Sequence, residues 1–251
     1  MERILFQEKI WEKENREFNP ALLQLLIAKD RLIVLLHGKP PYRVILGVPH
    51  QAGIGQPFIC DCRVKRESDE NSASYALVTY SLLKERDFPC KIVIAAHSTT
   101  ADPNKVLDSP YCQEVFQEPG ELFIECHGAG PRRKLDLELS SGRNSLADTK
   151  GFGEALAWAL QKRYLLGVQR KCGTDDALIL GKDGKKIHGQ LENPALLTKS
   201  LAKAGEMKIP ALHIEAKPQF RRSPDRVNRV TDDGVVLGHA LARVIIEGWT
   251  G

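Results

Sequence analysis

Two rhythms of apolar residues alternate along the chain. Short, dense runs rich in β-branched residues predict buried strands: Arg43 to Val48 (RVILGV), Lys91 to Ala96 (KIVIAA), Leu122 to His127 (LFIECH) and Pro210 to Ala216 (PALHIEA). Between them, apolar residues fall at helical spacing. Ala73, Ala76, Leu77, Tyr80 and Leu83 place a helix within Glu67 to Glu85, and Leu156, Ala159 and Leu160 place one over Gly153 to Tyr164. Leu196 to Ala204 reads as another helix. Asn19-Pro20 is a helix-start signal, with Leu22, Leu23, Leu25, Leu26 and Ile27 following. Thr231 is placed to cap a last helix whose first turn carries Asp232 and Asp233. Its buried face would be Val236, Leu237, Ala240, Leu241, Val244 and Ile245. Breakers separate these elements at Lys39-Pro40-Pro41, Glu118-Pro119-Gly120, and Gly128 with Gly130. Ala177 to Leu180, Asp183-Gly184 and Ile187 read as a hairpin.

Strands alternating with helices predict an α/β fold, with a mixed, largely parallel central sheet flanked by helices. No internal repeat or linker interrupts the pattern, so residues 1–251 are expected to form one domain. Open α/β sheets place ligands beyond the carboxyl ends of their strands. Three of the predicted strands end in His50, His127 and Glu215, and this coincidence marks a candidate site.

Composition narrows the function. The 251 residues carry 36 Lys and Arg against 32 Asp and Glu, a formal charge of +4, and the charges are interspersed. Basic runs such as Arg132-Arg133-Lys134 and Arg221-Arg222 are short, so nucleic acid is not the expected partner. No window reaches the roughly 18 apolar residues of a membrane span, and the N-terminus lacks the pattern of a secretory signal. The six cysteines are scattered in a chain too large to need a disulfide framework. A cytoplasmic protein with a small-molecule partner is expected.

Imidazoles mounted on strand ends suit zinc, and the small residues after His127 (Gly128-Ala129-Gly130) leave room above it. Each histidine alone also fits a structural role, His50 bonded to backbone and His127 satisfied in the core. A hydrolytic zinc needs a third protein ligand and an open position. The acids Glu67, Asp69 and Glu70 follow His50 at the expected start of a helix, where capping alone would also favour them. Spacing does not choose among the three. Glu215 stands in an apolar strand beside Leu212 and Ile214, which suits a general base or a buried ion pair with Arg221 or Arg222. His213 reads as structural. Neither a nucleophile elbow nor a phosphate-binding loop occurs.

Five segments in order resemble the N-formylglutamate amidohydrolase family. Val48-Pro49-His50-Gln51-Ala52-Gly53 is similar to its first histidine motif. Glu67-Ser68-Asp69-Glu70-Asn71-Ser72 resembles its acidic segment, and Ala101-Asp102-Pro103-Asn104-Lys105 its Asp-x-Asn-Arg segment. Glu125-Cys126-His127-Gly128-Ala129 resembles its second metal-histidine motif, and Leu212-His213-Ile214-Glu215 its late Gln-Ile-Glu strand. The resemblance spans roughly residues 43 to 245. It implies a zinc-carboxypeptidase-like fold with a mixed sheet of about eight strands. It also implies one zinc held by His50, His127 and an acid carried over to Asp69, with Glu67 and Glu70 as alternatives. Glu215 carries over as general base and acid, and Asn104 and Lys105 as contacts to a substrate carboxylate. Two departures bear on that last role. Lys105 stands where arginine is usual, so the bidentate fork to a carboxylate is lost. The stretch His97-Ser98-Thr99-Thr100 replaces a Ser-Arg pair.

The reading is a zinc-dependent amidohydrolase acting on a small, carboxylate-bearing amide such as an N-acyl amino acid. A cation from Lys105, Arg132 or Arg143 would serve the substrate carboxylate or the oxyanion. Arg143 follows a predicted strand in Ser140-Ser141-Gly142-Arg143-Asn144, where it also suits a solvated loop. The rival reading is a non-catalytic binding protein that keeps the fold.

Overall fold

The computed structural model describes residues 3–5, 11–12, 17–18, 32–52, 69–96, 102–118, 120–131, 136–142, 144, 146–160, 166–169, 177–180, 198–221 and 230–248. The strands are β1 (Arg3–Leu5), β2 (Trp11–Glu12), β3 (Glu17–Phe18), β4 (Leu32–His37), β5 (Val44–Ala52), β6 (Asp69–Glu70), β7 (Cys90–Ala96), β8 (Phe123–Gly128), β9 (Leu137–Ser140), β10 (Leu166–Gln169), β11 (Ala177–Leu180) and β12 (Ala211–Ala216). The helices are α1 (Ala73–Glu85), α2 (Pro110–Phe116), α3 (Thr149–Ala159), α4 (Lys199–Glu206) and α5 (Asp232–Glu247).

Among the described residues the main sheet has ten strands, in the order β1-β4-β7-β5-β8-β12-β9-β10-β11 with β6 beside β5. Most pairings are parallel; β4–β7, β12–β9 and β10–β11 are antiparallel. The mixed, largely parallel sheet is as the sequence predicts, and larger than the family resemblance implied. The central strands are apolar on both faces because helices cover both. Leu46, Ile92, Ile94, Ile124, Leu212 and Ile214 pack in one core with α1, α3 and α5. Ile45, Val93, Phe123 and Ala211 belong to the other, with Tyr111, Cys112 and Val115 of α2 and Leu201 and Ala204 of α4.

Helix α5 begins as expected, with Thr231 Oγ1 accepting from the Gly234 amide at 2.9 Å. One expectation changes. The acidic cluster does not open α1: Asp69 and Glu70 pair in parallel with Gln51 and Ala52, and Asn71 turns the chain with φ 58°. The first turn of α1 holds no acid, and the Ala73 amide is met by Gln51 Oε1 at 2.7 Å. Ala177–Leu180 is a strand as expected, and its partner among the described residues is Leu166–Gln169, a strand the pattern did not announce. The expected return through Ile187 and the helix after Asn19-Pro20 lie outside the described residues. No helix among the described residues is long and apolar enough to cross a membrane.

Candidate metal centre

Side chains alternate across a strand, so Glu125 and His127 share the face of Phe123, and His213 and Glu215 share the face of Ala211. Strands β8 and β12 run parallel with Glu125 beside His213 and His127 beside Glu215. Along this face the strands change from apolar to ionisable as they near their carboxyl ends. Two neighbouring strands thereby carry Glu-x-His and His-x-Glu in register, with an acid beside a histidine at each level.

His50 arrives from β5 by a different device. Strict alternation from Val48 would put it on the opposite face. Between Val48 and Gln51 the register with β7 shifts by one residue. Such a bulge re-aims a side chain, and Pro49, which has no N–H to donate, sits within it. The His50 ring then meets the His127 ring edge-on, with centroids 4.9 Å apart. Gln51 pairs with Asp69 by backbone while its side chain caps α1, so the same short segment fixes His50 and Asp69.

The three groups converge. Asp69 Oδ2 lies 3.0 Å from His127 Nδ1 and 3.4 Å from His50 Nδ1. Neighbouring ligands of a tetrahedral ion with bonds of about 2.0–2.1 Å stand about 3.3 Å apart, so the spacing fits zinc. The donor set fits as well, with two imidazoles and one carboxylate. Each imidazole is backed by a second carboxylate on its other nitrogen: Asp102 Oδ1 lies 2.8 Å from His50 Nε2, and Glu125 Oε2 lies 3.2 Å from His127 Nε2. Metal-bound histidines are usually oriented this way.

The site has a rim and a floor. The side chains of His50, Asp69, Asp102 and Glu215 retain 11–13 % exposure, and Lys105 27 %. Below them, Glu125 is fully buried and held by four donors. Tyr111 and Ser200 bind its Oε1 at 3.0 and 2.7 Å, while Asn104 and His127 meet its Oε2. Gly47 lies beside Glu125 in register, and a Cβ there would run into the Tyr111 hydroxyl, so only glycine lets that phenol reach the carboxylate. Arg221 ties the surrounding strand ends together through the carbonyls of Ala216, Ala129 and Glu70. Its guanidinium occupies the space that a side chain at Gly128 would fill.

Charge follows contact. Burial pushes the Asp69 carboxyl up, but His127 and His50 outweigh this and hold it well below the usual range. Burial likewise opposes ionisation of Asp102 and Glu125, and their histidine partners override it. Burial disfavours a charged His50, yet its bonds to Asp102 and Asp69 raise it to about 9.

Of the residues singled out in the sequence, His50, Asp69 and His127 are brought together, with Glu215 at the level of His127. Asn104 is 1 % exposed, not at a surface for substrate. Its side chain donates to Glu125 at 2.9 Å, and its carbonyl accepts from the Lys199 and Ser200 amides at the start of α4. Lys105 pairs with Asp102 Oδ2 at 2.9 Å. Arg143, Arg132 and Glu67 lie outside the described residues. Sequence reasoning missed Asp102, Glu125 and His213 as parts of this cluster. The i, i+2 pairing of acid and histidine on two strands was the signal for the last two.

The backbone has counterparts among solved structures. An N-formylglutamate amidohydrolase from Ralstonia eutropha JMP134 matches with a TM-score of 0.50 at 10 % identity, over 86 % of this chain and 96 % of that one. A bacteriophage poly-gamma-glutamate hydrolase matches at 0.47 and 12 % identity, over 91 % of this chain and 94 % of that one. A metallo-carboxypeptidase from Burkholderia cenocepacia matches at 0.45 and 13 % identity, over 86 % of this chain but 60 % of that one. No protein-family model and no curated protein matches the sequence. At these identities the likeness is one of architecture: the chain has the α/β fold of the N-formylglutamate amidohydrolase.

Proposed function

We propose that this chain is a zinc-dependent amidohydrolase that cleaves an amide bond in a small, carboxylate-bearing substrate of the N-acyl amino acid or peptide-like class. The reading rests on the convergence of His50 Nδ1, His127 Nδ1 and Asp69 Oδ2, with a carboxylate behind each imidazole. These three residues would hold the ion. Zinc in such a site supplies Lewis-acid chemistry, polarising a carbonyl and making water acidic near neutral pH.

Glu215 supplies the proton transfers. It neighbours His127 across the sheet and keeps 13 % of its side chain exposed at the rim. Burial would raise its pKa, but the bond from His213 prevails and holds it below the usual carboxylate range. It is therefore ionised at neutral pH, ready to take the proton of the attacking water and pass it to the leaving nitrogen. Asp102 and Glu125 keep the two imidazoles turned toward Asp69. Arg143 is the candidate cation for the substrate carboxylate, and Lys105 is engaged by Asp102. Free, buried Cys90, Cys112 and Cys126 accord with a reducing cytoplasm.

The test is metal analysis together with an amide-hydrolysis screen on the parent and on Glu215→Gln. One zinc is expected in both. Hydrolysis by the parent should drop on the order of 10²–10⁴-fold in the variant. Equal activity would remove Glu215 from the mechanism. Firmly bound zinc with no amide turned over by the parent would leave the non-catalytic binding protein as the better reading.

A further inference from the structure

Resting on the reading just given, we infer that His213 is the positioning residue for Glu215, holding its carboxylate at the edge of the metal centre through a ring N–H. The two residues are two apart on β12 and share a face, and His213 Nε2 lies 3.1 Å from Glu215 Oε1. Glu215 needs such an anchor. A long side chain at the rim, with 13 % of its surface exposed, would otherwise be free to turn into solvent.

His213 is itself immobilised. It is 3 % exposed, and its ring stacks on His127 with centroids 4.1 Å apart and planes 25° apart. Its Nδ1 faces Glu125 Oε2 at 3.8 Å and has no hydrogen-bond partner, so the bond to Glu215 is the ring's short polar contact. Glu125, His127 and His213 also have the composition of a second metal site. That reading fails on satisfaction: Tyr111, Ser200, Asn104 and His127 already engage the oxygens of a fully buried carboxylate. This cluster is a hydrogen-bonded floor, and His213 links it to the rim.

The experiment compares His213→Gln, which keeps an N–H at a similar reach, with His213→Leu, which removes it. In the Leu variant kcat should fall by up to ~100-fold, the scale expected when a catalytic group is misplaced by about 1 Å. KM and zinc content should be unchanged. The Gln variant should recover most of kcat. Crystal structures of both variants prepared without metal give a second readout. Glu215 should stay on residue 213 in the Gln variant and leave it in the Leu variant. An unchanged kcat with Leu, failure of Gln to recover it, or zinc loss alongside the kcat loss would each overturn the proposal. So would an unmoved Glu215 in the Leu variant. Should the Leu variant not fold, His213→Asn, whose donor falls short of Glu215, takes its place with the same expectations. If the parent hydrolyses no amide, the reaction assigned above is at fault, and the two crystal structures alone decide the role of His213.

Discussion

Glu125 and His127 stand two residues apart on one strand, and Glu125 Oε2 lies 3.2 Å from His127 Nε2. The contact sets which ring nitrogen carries the proton. A buried carboxylate accepts, so with an ion held by Asp69 and His50 the Nε2 proton of His127 would go to Glu125 and leave the Nδ1 lone pair to the ion. Glu125→Gln keeps the size but loses the charge that selects this tautomer. Zinc affinity should fall about 10–100-fold, the usual effect of losing an outer carboxylate. Competition with a chelator of known affinity measures it, and an unchanged affinity would remove Glu125 from the metal's support.

Asp102 bridges His50 and Lys105, with 2.8 Å to one and 2.9 Å to the other. The family resemblance assigns Lys105 to a substrate carboxylate, whereas the geometry ties it to the residue that orients His50. A part-exposed ion pair contributes only about 0.2–1 kcal/mol. Lys105→Met should therefore weaken zinc binding by less than about tenfold. If Asp102 is the main client of Lys105, KM for a carboxylate-bearing amide and for its neutral analogue will change in parallel. A rise confined to the charged substrate would return Lys105 to the role the resemblance gave it.

The buried histidines give stability a pH signature. His50 and His213 are both raised from 6.5 to about 9, burial opposing the charge and their carboxylate partners overriding it. A folded-state pKa above the unfolded value stabilises the fold fully below the unfolded value and loses that contribution as pH rises through the folded one. Thermal denaturation of chelator-treated protein should thus show stability falling between pH 6.5 and about 9, by on the order of a few kcal/mol. Zinc competes with the His50 proton, so affinity for the metal should rise over the same window. A melting temperature flat across that range would mean that neither histidine is held charged. On the acid side, Asp69, Asp102 and Glu125 are depressed, so their contribution is present above about pH 4 and fades below it.

Strands β5, β7, β8 and β12 were legible because central strands leave dense apolar runs, and the face of α5 from its helical period, whereas β4 was not announced. His127 and Glu215 were found because each ends such a run. What escaped was local pairing. Periodicity from Ala73 to Leu83 could not show that Asp69 and Glu70 bind the edge of β5 instead of opening the helix. Nor could it show the bulge at Pro49 that carries His50 to the other face of the sheet. His213 was read as structural, and Glu125 had no reading of its own beside His127. Their partners, Asn104, Tyr111 and Ser200, come from segments far apart in sequence, and only the fold brings them to one carboxylate.

Asp69 offers the sharpest test of the metal centre. One of its oxygens faces both histidine Nδ1 atoms, and the backbone of β6 holds it there by pairing Asp69 with Gln51. Glu70 follows it on the strand, so its side chain leaves from the other face. Asp69→Asn is nearly isosteric, but an amide is neutral and a far poorer ligand than a carboxylate. Zinc affinity should fall beyond the ~100-fold ceiling set by an outer carboxylate, while Glu70→Gln retains parental affinity. The two substitutions make a matched pair: same cluster, same change of charge, opposite faces. Titration of the purified proteins with zinc against a chromophoric chelator reads both. Loss in Glu70→Gln with retention in Asp69→Asn would transfer the third-ligand role along the strand. Retention in both would mean that the histidines bind without this segment, and the catalytic assignment built on three protein ligands would fall with it.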